Sequence, residues 1–333
     1  MNSRVILLAL LATAMAAGLA WQRHALDQQR RHAAFLEQRT GLLESEVARL
    51  SSLVREARSR RLDAREGAQR GEIMAAVAEL RRLDFIEEVD FKVLAREQLP
   101  GLIERKIDEV YSPRELDDLG EMYAAVGLLP EDFDIKQAYI DLFAEQVAAF
   151  YDQHADQLYS FEGKRLDDPI NRMILAHELV HALQDQHYQL ESMPLEIKTN
   201  DDRMLAATAL IEGDATLAMS LFLAGDMAPG ELLPSLAGNI FSQNLEALSA
   251  SPDYLRESLL FPYIEGQKFA AALYGAGGMR MLDQAYAKPP LSTRQILHPA
   301  EYLADRDFQP VSVSWRQPPA GHRQIGVNVL GEF

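Results

Sequence analysis

Between Ala176 and Gln186 the chain reads AHELVHALQDQ, two histidines four residues apart with a glutamate directly after the first. On a helix, positions i and i+4 share a face, so His177 and His181 present their imidazoles in one direction. Glu178 projects about 100° further round. The neighbours Ile174, Leu175, Leu179, Val180, Ala182 and Leu183 are apolar and helix-compatible, which suits a held interior site better than a solvated face. A fold that accepts this segment must pack around the helix and still leave two imidazoles free to bind. Two neutral imidazoles plus a carboxylate serve Zn2+ well and leave a fourth position for water. Glu178 can reach that water and take its proton without binding the ion.

A third ligand is expected from Leu205 to Phe222, LAATALIEGDATLAMSLF, a helix whose interior is almost wholly apolar, Glu212 and Asp214 being its only charged residues. A carboxylate buried in such a stripe is costly unless it is paired or bound to metal. Glu212 is therefore the expected third ligand. Asp214 lies about 200° further round, so a regular helix cannot aim both at one ion. Its expected role is to anchor the ligand helix or a histidine from behind.

Ahead of the histidine helix, VDFKVL (Val89 to Leu94) alternates as a short strand and QLYSF (Gln157 to Phe161) reads as another. DIKQAYIDLFAEQVAAFYD reads as one amphipathic helix ending near Asp152. Helices dominate elsewhere, with Ser112-Pro113 and the GLLPEDFD stretch as breaks.

The chain divides by composition into residues 1–21, 22–70 and 71–333. Arg4 precedes an uncharged run from Val5 to Trp21. It reads either as a cleaved signal peptide or as a membrane anchor near the short limit for spanning a bilayer. Either exports the remainder, although the arginines at 23, 30 and 31 run against the positive-inside rule. Residues 22–70 are polar and proline-free. Leu36, Leu43, Leu50 and Ala57 recur every seven residues, with Thr40, Val47 and Val54 in the second seam. That pattern fits a short coiled coil, hence a homodimer through a stalk, or a single solvated helix held by Glu–Arg pairs.

The chain has no cysteine, which excludes disulfides, thiolate metal sites and a cysteine nucleophile. Residues 83–333 carry nineteen basic and forty-one acidic side chains. So acidic a body excludes nucleic acid as the expected partner.

His177-Glu178-x-x-His181 with a glutamate on a following helix resembles the zincin metallopeptidases, in particular their gluzincin branch. The cluster Glu212-Gly213-Asp214-Ala215 is similar to the signature of a poorly characterised bacterial and archaeal group of that kind. AAFYDQHADQLYSF, PYIEGQKFAAALY and PPLSTRQILHPAEY match other segments of the group, although Ala149 stands where it has glycine. The resemblance covers roughly residues 80–333. It implies a helix-rich α+β zincin-like domain over 71–333, and peptide-bond hydrolysis with Glu178 as base and then as proton donor to the leaving amine. It also implies that QLYSF is the strand at the cleft edge, pairing with an extended protein or peptide substrate, and that a further segment follows Phe333. Among polar groups in the matching segments, Tyr263, Arg294, His298 and Tyr302 are candidates to stabilise an oxyanion, His298 and Tyr263 foremost. Asp185 is a further candidate to orient an imidazole, while His154 and His187 read as surface residues. Two other outcomes stay open: an envelope scaffold that keeps the fold without turnover, and a zinc amidase acting on a non-peptide amide.

Overall fold

The computed structural model describes residues 39–41, 43, 47, 49–50, 65–147, 149–224, 248, 251–306, 311, 321 and 324–333. The chain separates into two units, Met1–Gly67 and Ala68–Phe333. The expected signal or anchor over 1–21 lies outside the described residues, as does most of the stalk. In the first unit the described positions up to Leu50 are helical and exposed, Leu43, Val47 and Leu50 among them.

In the second unit, helix α1 (65–81) leads to strand β1 (Asp90–Leu94), then helices α2 (Leu99–Val110), α3 (Pro113–Ala125) and α4 (Ile135–Gln146). Strands β2 (Ala149–Asp152) and β3 (Gln157–Phe161) follow, then α5 (Pro169–Tyr188), α6 (Asp201–Ala224), α7 (Asp253–Gly277), α8 (Met279–Ala287), α9 (Thr293–Leu297) and α10 (Pro299–Leu303). The result is helix-rich α+β with a small three-stranded sheet.

Local chemistry sets the boundaries. Ser112 and Glu115 form a capping box at the start of α3, with Pro113 in the first turn. Asp168 caps α5 by accepting from Ile170 N, and the helix ends at Gln189 with φ 54. The helix expected through Asp152 stops at Gln146, because Val147 turns extended and Ala149–Asp152 pairs antiparallel with β3. Phe150 and Tyr151 favour a strand, and cross-strand stacking of Phe150 on Tyr159 at 4.8 Å stabilises it.

The strand order is β1-β3-β2, with β1 parallel to β3. QLYSF, expected at the cleft edge, is therefore the central strand, and both of its sides are already paired. Its edge neighbour toward α5 is β2. A parallel partner that arrives from 60 or so residues upstream leaves no mark in the local pattern of QLYSF, hence the different outcome.

Helices α5 and α6 form the middle of the molecule. Leu175 to Gln184 is buried round the whole circumference of α5. Ile73 and Val77 of α1, Leu158 of β3 and Ala215 and Ala218 of α6 pack against it. On its other side α6 meets α7, α8 and α9 in a second core around Leu210, Phe269, Leu273 and Leu282. A third, smaller cluster joins Tyr123, Leu129, Ile135 and Leu255. α6 is long and apolar enough to cross a membrane, but 72% of that stretch is buried inside the protein, as a core helix should be. Where α6 and α7 cross, a β-carbon at Gly213 would lie 2.1 Å from Gly266 O, and one at Gly266 would lie 2.2 Å from Ala209 O. Only glycine allows that approach, which seats Tyr263 of α7 beside Glu212 of α6.

Candidate metal centre

His177 and His181 lie one turn apart on α5, their rings edge to face with centroids 4.7 Å apart. Glu212 comes from the middle of α6. His177 Nε2 is 3.1 Å from His181 Nε2 and 3.1 Å from Glu212 Oε2, and His181 Nε2 is 3.4 Å from that oxygen. Among the described residues, these three form a group whose atoms could hold a metal ion. Donors each about 2.0–2.1 Å from a tetrahedral ion stand roughly 3.3–3.4 Å apart, so the triangle fits Zn2+ in size as well as in donor type.

The electrostatics are tightly coupled. Burial lowers the His181 pKa, but the charge and hydrogen bond of Glu212 outweigh it and hold the imidazole up at about 9. Burial pushes the Glu212 carboxyl up, while His181 and His177 pull it well below the usual carboxylate range. A buried carboxylate that converges with two imidazole nitrogens suits a cation.

Glu178 is buried beside the trio but turned differently. Its Oε2 accepts a 2.9 Å hydrogen bond from Tyr151 N on β2. Burial raises its pKa against the lowering influence of His177 and His181, which moves the carboxyl toward the range useful to a general base. Tyr151 is held at its other end too, since its hydroxyl donates to Asp185 Oδ2 at 2.9 Å, while Asp185 Oδ1 accepts from Leu190 N. Asp185, considered as an imidazole partner, instead fixes the strand residue that holds Glu178.

Tyr263 reaches the site. Its ring lies 6.1 Å from His177, and its hydroxyl faces Glu212. Burial, with Glu212 and Glu178 next, raises its pKa far enough to keep it a protonated donor. His298 does not join: it is half exposed, bonds Glu332 at 2.8 Å, and is not among the residues lining the cavity around the trio. Arg294 pairs with Glu301 and Glu332, and Tyr302 donates to Lys288 O. The physical reason is the tail. Residues 328–333 run along the start of α6 and α9, and Glu332 draws His298 and Arg294 to it.

Behind the histidines lies a buried polar cluster. His181 Nδ1 bonds Gln184 Oε1 at 2.8 Å, and Gln184 Nε2 donates to Ile211 O and to Asp214 Oδ2 at 3.0 and 3.1 Å. Asp214 also accepts from Tyr286 and pairs with Arg81 Nε at 3.0 Å, both side chains of the ion pair being fully buried. Asp214 thus reaches His181 through Gln184 and does not face the ligand triangle. Burying two charges costs several kcal/mol per ion before their attraction is counted, so this cluster is a poor way to gain stability alone. Gln184 carried a readable signal, three residues after His181 on the same face; Arg81 and Tyr151 carried none.

The trio, Glu178 and Tyr263 lie at one side of a cavity of about 510 Å³ whose other walls come from α2, α3, α4 and β2. Leu102, Ile103, Ile107, Tyr139, Phe143 and Phe150 make those walls largely apolar. Lys106 of α2 pairs with Asp152 of β2 at 3.0 Å, which ties one wall to the strand.

No protein-family model matches the chain, and no curated protein matches it. The chain is similar in structure to a Chloroflexus aurantiacus protein whose crystal structure is described as that of a candidate hydrolase with a novel fold. That likeness has 18% identity and a TM-score of 0.46, covering 74% of this chain and 92% of the other.

Proposed function

We propose that the protein is a zinc-dependent peptidase that uses His177, His181 and Glu212 as ligands and Glu178 as general base. The observation that carries this reading is the triangle of donor atoms at 3.1, 3.1 and 3.4 Å with an unligated buried carboxylate beside it. Zn2+ held there would polarise a water and the scissile carbonyl.

The chain's own groups supply the rest. With Oε2 of Glu178 engaged by Tyr151, Oε1 is the atom left to accept a proton and later to return it to the leaving amine. Tyr263, protonated and partly buried, is the donor placed to stabilise charge on a substrate oxygen. β2 is an edge strand, and the outward N–H of Tyr151 implies that its C=O faces outward as well. An extended peptide pairing with that edge would pass Glu178. The aliphatic and aromatic walls favour a substrate with a bulky apolar side chain next to the scissile bond. The run from Val5 to Trp21 supports an exported protein, secreted or tethered to the membrane of the cell envelope.

The test is hydrolysis of a denatured protein by the full chain with Zn2+, with chelator, and as Glu178→Gln. Cleavage only in the first supports the reading; cleavage that survives both chelation and the substitution contradicts it.

A further inference from the structure

We infer that Gln184 is the positioning residue for His181, selecting the imidazole tautomer that can bind a metal, and that Asp214 and Arg81 set the direction of the Gln184 amide. The inference rests on the metal-centre reading above and concerns a residue that neither binds the ion nor touches the cavity.

The argument follows donors and acceptors. A glutamine side chain has one end that only accepts and one that only donates. At Gln184 the groups on one side are Ile211 O and Asp214 Oδ2, at 3.0 and 3.1 Å. A backbone carbonyl cannot donate. Asp214 Oδ2 already accepts from Tyr286, and its Oδ1 lies 3.0 Å from Nε of Arg81, so that carboxyl stands on the accepting side as well. The Gln184 NH2 group must therefore face α6, and both of its protons are used there. Its Oε1 is left facing His181 Nδ1 at 2.8 Å. An acceptor at that distance requires Nδ1 to carry a proton, so in the neutral imidazole the lone pair falls on Nε2, the nitrogen on the side of His177 and Glu212. Reversal of the amide would set NH2 against the imidazole and oxygen against two acceptors, so the network permits one orientation.

The same chain of contacts explains where the cluster sits. Gln184 is one turn after His181 on α5, and Asp214 is two residues after Glu212 on α6. Each ligand helix contributes one member, so the hydrogen bond between them fixes the two helices at the level of the ligands. Arg81 at the end of α1 holds Asp214 on one side and Asp283 of α8 on the other, at 3.0 and 3.2 Å. A fully buried arginine between two carboxylates is an expensive arrangement; fixing an imidazole is a use that a hydrophobic replacement could not serve.

The experiment is Zn2+ affinity of the full chain, measured by competition with a chromophoric chelator, for wild type and Gln184→Met, together with NMR of the His181 ring protons in both zinc-loaded proteins. Methionine keeps the volume and loses the acceptor. Partners of this kind are worth about 10–100-fold in metal affinity. The expected result is a loss of that size in Gln184→Met, with the His181 Nδ1 proton exchanging faster than in wild type. Equal affinity in Gln184→Met and wild type, or equal exchange of that proton, overturns the inference and leaves the metal site standing. Failure of wild type to take up Zn2+ removes the site reading and this inference with it. Should Gln184→Met not fold, the zinc-loaded wild type decides by NMR: a slowly exchanging Nδ1 proton on His181 is expected, and its absence overturns the inference.

Discussion

Tyr151 N on the edge strand β2 donates a 2.9 Å hydrogen bond to Oε2 of Glu178 on the central helix α5. That bond joins the strand proposed to hold substrate to the carboxylate proposed to act on it, and it decides which oxygen of Glu178 is left for the reaction. Glu178→Gln should therefore keep metal binding and lose hydrolysis, by at least about 10²-fold in kcat for a removed general base. Metal content and turnover measured on the same samples check this. Loss of metal along with activity would assign Glu178 a different role.

Much of this centre is legible in the amino-acid order. The i, i+4 spacing of His177 and His181 is a local property, and a carboxylate at 212 inside an apolar stripe signals its need for a partner. Tyr263 can be singled out from its segment, though what seats it is the Gly213–Gly266 crossing, a contact across 53 positions. The strand β2 was hidden inside an amphipathic helix pattern, because only pairing with β3 makes Ala149–Asp152 extended. Edge and centre of the sheet were interchanged for the same reason: strand order is a tertiary fact. His298 carried the wrong weight because its partner, Glu332, lies 34 positions away in a tail without regular structure.

Proton competition gives a prediction about pH. An exposed histidine titrates near 6.5 in the unfolded chain, whereas in the metal-free fold His181 keeps its proton to about 9. The fold binds more protons than the unfolded chain between those values, so this group's contribution is complete below about pH 6.5 and is lost as pH rises through 9. Denaturant unfolding of the metal-free protein should weaken across that window, by roughly 3 kcal/mol from this group. Zn2+ affinity should move oppositely and rise with pH, since the ligand must lose its proton.

Gly213→Ala tests the helix crossing. Glycine to alanine in a helix interior ordinarily gains about 1 kcal/mol. Here the added β-carbon would lie 2.1 Å from Gly266 O, and the separation it forces should destabilise by about 1–3 kcal/mol or more. Urea unfolding reads the sign; a stabilised variant would show that the crossing is looser than described.

Ile103→Asp tests the apolar wall. Ile103 is only partly buried and lines the cavity, so the fold should tolerate the charge while kcat/KM on a peptide with a bulky apolar side chain drops tenfold or more. Unchanged kcat/KM would place the substrate elsewhere in the groove.

The central claim is that His177, His181 and Glu212 bind one metal ion, and elemental analysis of the purified full chain tests it most directly. The account predicts close to one Zn2+ per wild-type chain and a marked loss in Glu212→Gln. A wild-type chain that takes up no Zn2+ from zinc-containing buffer, or a Glu212→Gln chain that retains it fully, would contradict the account.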